Sequence, residues 1–242
     1  MRPWSPIPIH DCGEPLLPLP LDLLRLEPHP YVAAGAPYGA DACPFRLREG
    51  VIERLLQAQR LLQERSPNCR LAVFDAWRPL AVQRFMVAYS IAEECQRRGV
   101  DPHQPSAELV AVEHEVGRFW APPSDDPATP PPHSTGAAVD LTLAGPDGEP
   151  LDLGSPIDAI GAVSEPGYFA VLAREASDSE LRSQAALFQQ RRDLLAAVML
   201  EAGFAQHPNE WWHFSHGDQL WTWRTGDHQA IYGRWGFLSS PS

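Results

Sequence analysis

The chain contains several residues whose types and spacing suit hydrolytic metal chemistry. The stretch PPPHSTGAAVDLTL, residues 130–143, places His133 seven residues ahead of Asp140, with Gly136 between them. Farther on, EWWHF, residues 210–214, offers Glu210 and His213 on either side of two tryptophans. Two imidazoles and one carboxylate form a sensible zinc set that leaves a fourth position for water, as catalytic rather than structural sites do. Glu210 is then a spare carboxylate able to act as general base. Arg78, in DAWRP (75–79), is a guanidinium at the end of a strand, suited to stabilising negative charge on a carbonyl oxygen. Singly, each feature also has a plain reading: a solvated strand aspartate, a loop histidine, a capping arginine. The i,i+3 spacing of Glu210 and His213 reaches one ion from a strand only if that strand is bulged, twisted or just beginning.

Elements must bring these residues together. Residues 1–45 are proline-rich and aperiodic, and read as an irregular arm with a short strand near Tyr31 and Val32. Residues 46–242 read as one domain. An apolar stripe from Leu47 to Leu62 predicts a helix ending near Arg65, because Pro67 cannot continue it. Residues 69–79 read as a buried strand stopped by Pro79. Residues 80–98 form a second helix closed by Gly99, and 106–119 a third with Ser106 as N-cap. In the strand 137–143, Val139, Leu141 and Leu143 alternate with Ala138, Asp140 and Thr142, so Asp140 sits on the face away from the apolar core. A turn at 145–150 leads to a short strand near Leu151, 154–178 reads as loop, and 180–202 as a helix striped by Leu187, Leu194, Leu195 and Val198. Strand, turn and strand follow from Gly203. The mixture predicts a single α+β domain with a small antiparallel sheet flanked by helices.

Charge narrows the partners. A formal net charge of −12, from 19 basic and 31 acidic side chains, argues against nucleic acid and anionic membranes. The first residues hold no apolar run of signal-peptide length, and the chain has no stretch of about 18 apolar residues. A cytoplasmic protein is expected. The four cysteines, Cys12, Cys43, Cys69 and Cys95, form no C-x-x-C pair and read as isolated packing thiols. Oligomeric state leaves no signal in the sequence.

Taken together, HSTGAAVDLTL, EWWHF and DAWRP resemble the D-alanyl-D-alanine dipeptidases of the VanX type, whose pattern is S-x-H-x-x-G-x-A-x-D followed by E-x-x-H. LDLGSPIDAIG, 151–161, is similar to a further family segment, and RRDLLAAVMLEAGF fits the helix and strand before the second zinc histidine. The resemblance spans roughly residues 25–225. It implies the fold shared by zinc D,D-peptidases and the hedgehog signalling domain, with one Zn2+ per chain held by His133, Asp140 and His213. It also implies Glu210 as base and later proton donor, Arg78 on the oxyanion, Asp158 on the free ammonium of the dipeptide, and Tyr31 in the substrate pocket. The chain departs from the pattern at Pro131, where the family has serine, and around Tyr31, where the Asn-Phe part is missing and Tyr38 competes for the role. The expected activity is hydrolysis of D-Ala-D-Ala. The alternatives are a carboxypeptidase on longer muropeptides and a non-catalytic zinc-binding domain. His207, His216 and the other histidines are expected to be structural.

Overall fold

The computed structural model describes residues 2–39 and 43–236. Its centre is a five-stranded sheet in the order β2 (Leu24–Arg25), β4 (Arg70–Asp75), β5 (Ala138–Ala144), β7 (His213–Ser215), β6 (Ala205–Gln206). All neighbouring pairs are antiparallel except β2 with β4, so the sheet is mixed at one edge rather than wholly antiparallel. A two-stranded antiparallel ribbon joins β1 (Leu16–Pro18) to β3 (Arg46–Arg48).

The amino-terminal 45 residues are therefore built into the fold through two strands. The strand expected near Tyr31 is instead a short helix, α1 (Pro30–Ala33), capped by the His29 side chain. Proline at its first position has the right φ and no N–H to lose.

Helices cover the sheet. α2 (Glu49–Arg65) and α6 (Ser179–Glu201) pack on the face bearing Leu71, Val73, Val139, Leu141, Leu143 and Phe214. Leu47 belongs to β3 rather than to the helix. Leu71, Leu141 and Leu143 lose all solvent contact, which stabilises by about 1.5–3 kcal/mol per side chain. In α6 the buried positions are Ala185, Arg192, Leu195, Val198 and Met199, while Leu187 faces solvent.

A second cluster joins α3 (Leu80–Arg98) and α4 (Ala107–Phe119) to the arm through Tyr31, Tyr38, Val82, Met86, Val116 and Trp120. Local chemistry sets these helices as expected. Gly99 closes α3 in the left-handed region at φ 68°, and the Ser106 side chain accepts from Leu109 N–H at 3.0 Å.

Two further helices were not expected: α5 (Tyr168–Glu175), inside the supposed loop, and α7 (Gln219–Thr225). No strand forms near Leu151; its N–H donates to Leu143 O, and a lone bridge joins Ala144 to Pro150. Every residue of β5 is buried, because the α3–α4 cluster and the arm cover the face that carries Asp140. The alternation expected from sequence is present, but neither side meets water.

Candidate active site

The register of the sheet assembles the site. Asp140 on β5 is the cross-strand partner of His213 on β7 and, across a bulge in β4, of Asp75. His213 opens β7, so Glu210 lies in the turn before the strand and is free of the strand's alternation. This resolves the spacing difficulty. Glu210 Oε2 stands 3.7 Å from His213 Nδ1.

His133 arrives from a 3-10 turn, Pro132–Thr135. Gly136 ends that turn at φ 73°, where a Cβ would meet Leu16 Cδ1 at 2.4 Å. A side chain there would be both strained and crowded. The buried Arg48 holds the turn from outside. Its Nε donates to Thr135 O at 2.8 Å, and its own N–H donates to Gly136 O at 2.9 Å. The guanidinium also binds Asp11, Glu14 O and Gly233 O, joining arm, turn and carboxyl-terminal segment.

Three donor atoms converge. His133 Nε2 lies 3.2 Å from His213 Nδ1, and the Asp140 carboxylate spans the pair, with Oδ1 3.0 Å from His213 Nδ1 and Oδ2 3.1 Å from His133 Nε2. The edge of a tetrahedron with ligands about 2.0–2.1 Å from zinc is about 3.3 Å. The imidazole pair is close to that edge, and these residues form the cluster able to hold a metal among the described residues. Outer partners fix the ring orientations. His133 Nδ1–H donates to Ala76 O at 2.7 Å, leaving Nε2 as the lone-pair donor. His213 Nε2 lies 3.3 Å from Ser215 Oγ, leaving Nδ1 for the metal. Burial opposes the charge on Asp140, but His133 and His213 outweigh it and hold the carboxyl well below its usual range.

Arg78 stands on the other side of the ligand set, with NH2 3.5 Å from Asp140 Oδ2. It is almost wholly buried, and its bonds to Asp75, Gln83 and Tyr31 leave one NH1 hydrogen outside them. NH2 and Nε donate to Asp75 Oδ2 at 2.7 and 3.1 Å, NH1 donates to Gln83 Oε1 at 2.9 Å, and the plane lies against Tyr31 and Trp120. Asp75 is itself buried, and His29 Nε2 and Tyr38 O–H each donate to it at 3.1 Å. Burial disfavours the guanidinium charge, yet Asp75 more than compensates and raises its pKa above the ordinary value.

Asp158 sits in a backbone conformation with φ 65°, uncommon for a side chain larger than glycine. The segment around it is held by Arg192, which donates to Leu153 O, Val163 O and Glu165 O. Tyr31 O–H donates to Asp158 Oδ2 at 2.7 Å. Burial, reinforced by Asp140, pushes the Asp158 carboxyl up to about 7. Tyr31 therefore reaches the site through Asp158 and Arg78, whereas Tyr38 serves Asp75.

Glu210 is buried, and burial together with Asp140 drives its carboxyl well above the usual range. Its Oε1 faces His207 Nδ1 at 3.3 Å. His207, expected to be structural, lines the cavity together with Arg2 and Trp4 from the arm. No motif marks these three. His216 does stay outside, bound to Gly203 O and Arg54. One cavity joins Arg78, His133, Asp140, Asp158, Glu210 and His213.

These residues can bind a hydrolytic metal, position a water beside a base, and oppose charge on a carbonyl oxygen. Comparison with known proteins agrees. The chain is 46% identical to a D-alanyl-D-alanine dipeptidase of Synechocystis sp. over 242 residues, 97% of each chain. It is 35% identical to a D-alanyl-D-alanine dipeptidase of Escherichia coli over 82 residues, 34% of this chain and 36% of that one. A vancomycin-resistance D,D-pentapeptidase, VanY, solved with Zn(II), superposes over 88% of each chain with a TM-score of 0.37 and 14% identity, too distant to carry an argument. The family Peptidase_M15, described as D-ala-D-ala dipeptidase, matches residues 25–231, and the chain belongs to that family.

Proposed function

We propose that the chain hydrolyses the dipeptide D-Ala-D-Ala at a zinc centre held by His133, Asp140 and His213, with Glu210 as base and Arg78 on the carbonyl oxygen. The observation that carries this reading is the convergence of His133, Asp140 and His213, with one ligand atom from each within 4.8 Å of the others, flanked by a buried carboxyl and a buried guanidinium. Zinc bound there supplies Lewis acidity, acidifying water and polarising a carbonyl.

The chain's own groups do the rest. Asp158 pairs with the substrate's ammonium and orients the amide. Arg78 donates to the carbonyl oxygen as negative charge develops there. Glu210 takes one proton from the attacking water as the new C–O bond forms. It delivers that proton to the departing amine nitrogen as the C–N bond breaks, giving two molecules of D-alanine.

Asp158 favours a dipeptidase over a carboxypeptidase on longer muropeptides. A carboxylate gains a charge-assisted bond from a free ammonium and none from an amide. A purely binding zinc domain would have no use for Glu210 and Arg78 beside the ligands. We place the protein in the cytoplasm; in support, the four cysteines are spread along the sequence without the spacing of a disulfide framework. Among the described residues no helix is long and apolar enough to cross a membrane.

The test is release of D-alanine from D-Ala-D-Ala and from its N-acetylated form, with and without a zinc chelator. The reading expects chelator-sensitive cleavage of the free dipeptide alone. Preferred cleavage of the acetylated form supports the carboxypeptidase, and no cleavage by zinc-loaded protein refutes both.

A further inference from the structure

The proposed substrate is a zwitterion, and the site described so far recognises only its positive end. A dipeptide's two charged ends lie about 5–7 Å apart when extended. A cavity lined by buried groups that binds the ammonium through Asp158 leaves the carboxylate needing a cation, because an unpaired charge taken from water is costly.

Two arginines line the cavity, Arg78 and Arg2. Arg78 is committed to Asp75 and Gln83 and faces the ligand set. Arg2 enters from the amino-terminal arm. Its NH2 donates to Gly117 O at 2.9 Å and Trp120 O at 3.1 Å, and its NH1 donates to Arg118 O at 3.0 Å. These three bonds hold the guanidinium against the carboxyl-terminal end of α4. A guanidinium has five N–H donors in a rigid fork, so Nε–H and one NH1 hydrogen lie outside those three bonds.

The placement of Arg2 relative to Asp158 also fits a zwitterion. Asp158 bonds to Tyr31, which meets Arg78. Arg2 is followed by the buried Trp4, whose ring meets the edge of His207 at 5.7 Å, and His207 contacts Glu210. The anion and the cation are thus anchored on different walls, one beside Arg78 and the other beside Glu210. The charge of Arg2 acts on Glu210, as expected for a group on the leaving-amine side of the scissile bond.

We propose that Arg2 is a specificity-determining residue that takes the carboxyl-terminal carboxylate of the dipeptide, which makes the amino-terminal segment part of the substrate site. The proposal rests on the dipeptidase reading above. It explains why a proline-rich arm should be pinned at its second residue to a helix more than a hundred residues away. The plain role of Arg2 is a cap for α4, and the two roles make different predictions.

The experiment uses zinc-loaded protein without an amino-terminal tag, its Arg2→Met and Arg2→Lys variants, and two substrates, D-Ala-D-Ala and its carboxyl-terminal amide. For Arg2→Met, KM for the dipeptide should rise about 10- to 100-fold, the size of a lost charge-assisted bond, with kcat changed less than about threefold. kcat/KM for the amide should fall much less than for the dipeptide, because on the amide only the effect of Arg2 on Glu210 is lost, and Arg2→Lys should recover part of the KM. Calorimetry of D-Ala-D-Ala binding to Glu210→Gln protein, with and without Arg2→Met, should show the same weakening without turnover. Equal losses on acid and amide, the behaviour of a cap whose removal loosens the wall, would overturn the proposal. So would a dipeptide KM within twofold of the parent. If the parent protein cleaves neither substrate, the dipeptidase reading fails and the proposal falls with it. Cleavage by the parent with unchanged Arg2 variants removes Arg2 alone.

Discussion

Replacing Arg78 by alanine should damage both chemistry and stability, and the two effects can be separated. The substitution removes two bonds to Asp75, one to Gln83 and one to Tyr31, and leaves the buried Asp75 carboxylate without the Arg78 cation. Breaking a buried ion pair in this way costs about 3–5 kcal/mol. Asp75 keeps its bonds from His29 and Tyr38, which places the cost at the lower end. For a chain of this size about 3 kcal/mol lowers the melting temperature by roughly 6–12 °C. Loss of an oxyanion donor should lower kcat by about 10²–10³. Arg78→Lys restores a charge but not the two-pronged geometry, so it should recover more stability than rate. The assay is kcat on D-Ala-D-Ala well below the melting temperature of each variant, with zinc content measured on the same samples. If folded, zinc-loaded Arg78→Ala protein turns over within tenfold of the parent, Arg78 is a structural counter-ion to Asp75 and has no place on the oxyanion.

Glu210→Gln should keep its zinc and fold while kcat falls by about 10²–10⁴; because burial already disfavours the Glu210 charge, its melting temperature at neutral pH should not fall, and retained turnover would remove Glu210 as the base. The pH dependence of kcat/KM follows in part from Asp158. Burial pushes its carboxyl up to about 7, and it binds ammonium only when ionised, so it should add a rise in kcat/KM through about 7 to the acid limb that the raised Glu210 base also contributes. Asp158→Asn should raise KM and abolish this part of the acid limb; a profile with the same limb in that variant would assign it elsewhere.

Much of the local structure was legible because its causes are local. Pro79 and Gly99 bound α3 through proline's missing N–H and glycine's tolerance of positive φ, and Ser106 caps α4 through its own hydroxyl. The donor types of His133, Asp140 and His213, and the extra carboxylate of Glu210, likewise stand in the sequence with their chemistry attached. Other features depended on contacts between distant segments. Asp140 is buried because α3, α4 and the arm cover its face of the sheet, and alternation along one strand carries no information about what lies above it. The parallel edge made by β2 and the helices α5 and α7 are short elements whose stability comes from their neighbours rather than from their own periodicity. Most decisively, strand register set Asp140 between Asp75 and His213, and packing brought Arg2, Trp4 and His207 to the same cavity. The identity of the ligands was therefore a property of the sequence. Their geometry, the ion pair that immobilises Arg78, and the wall that the amino terminus contributes belong to the tertiary structure, because each requires groups dozens to hundreds of residues apart to lose water together.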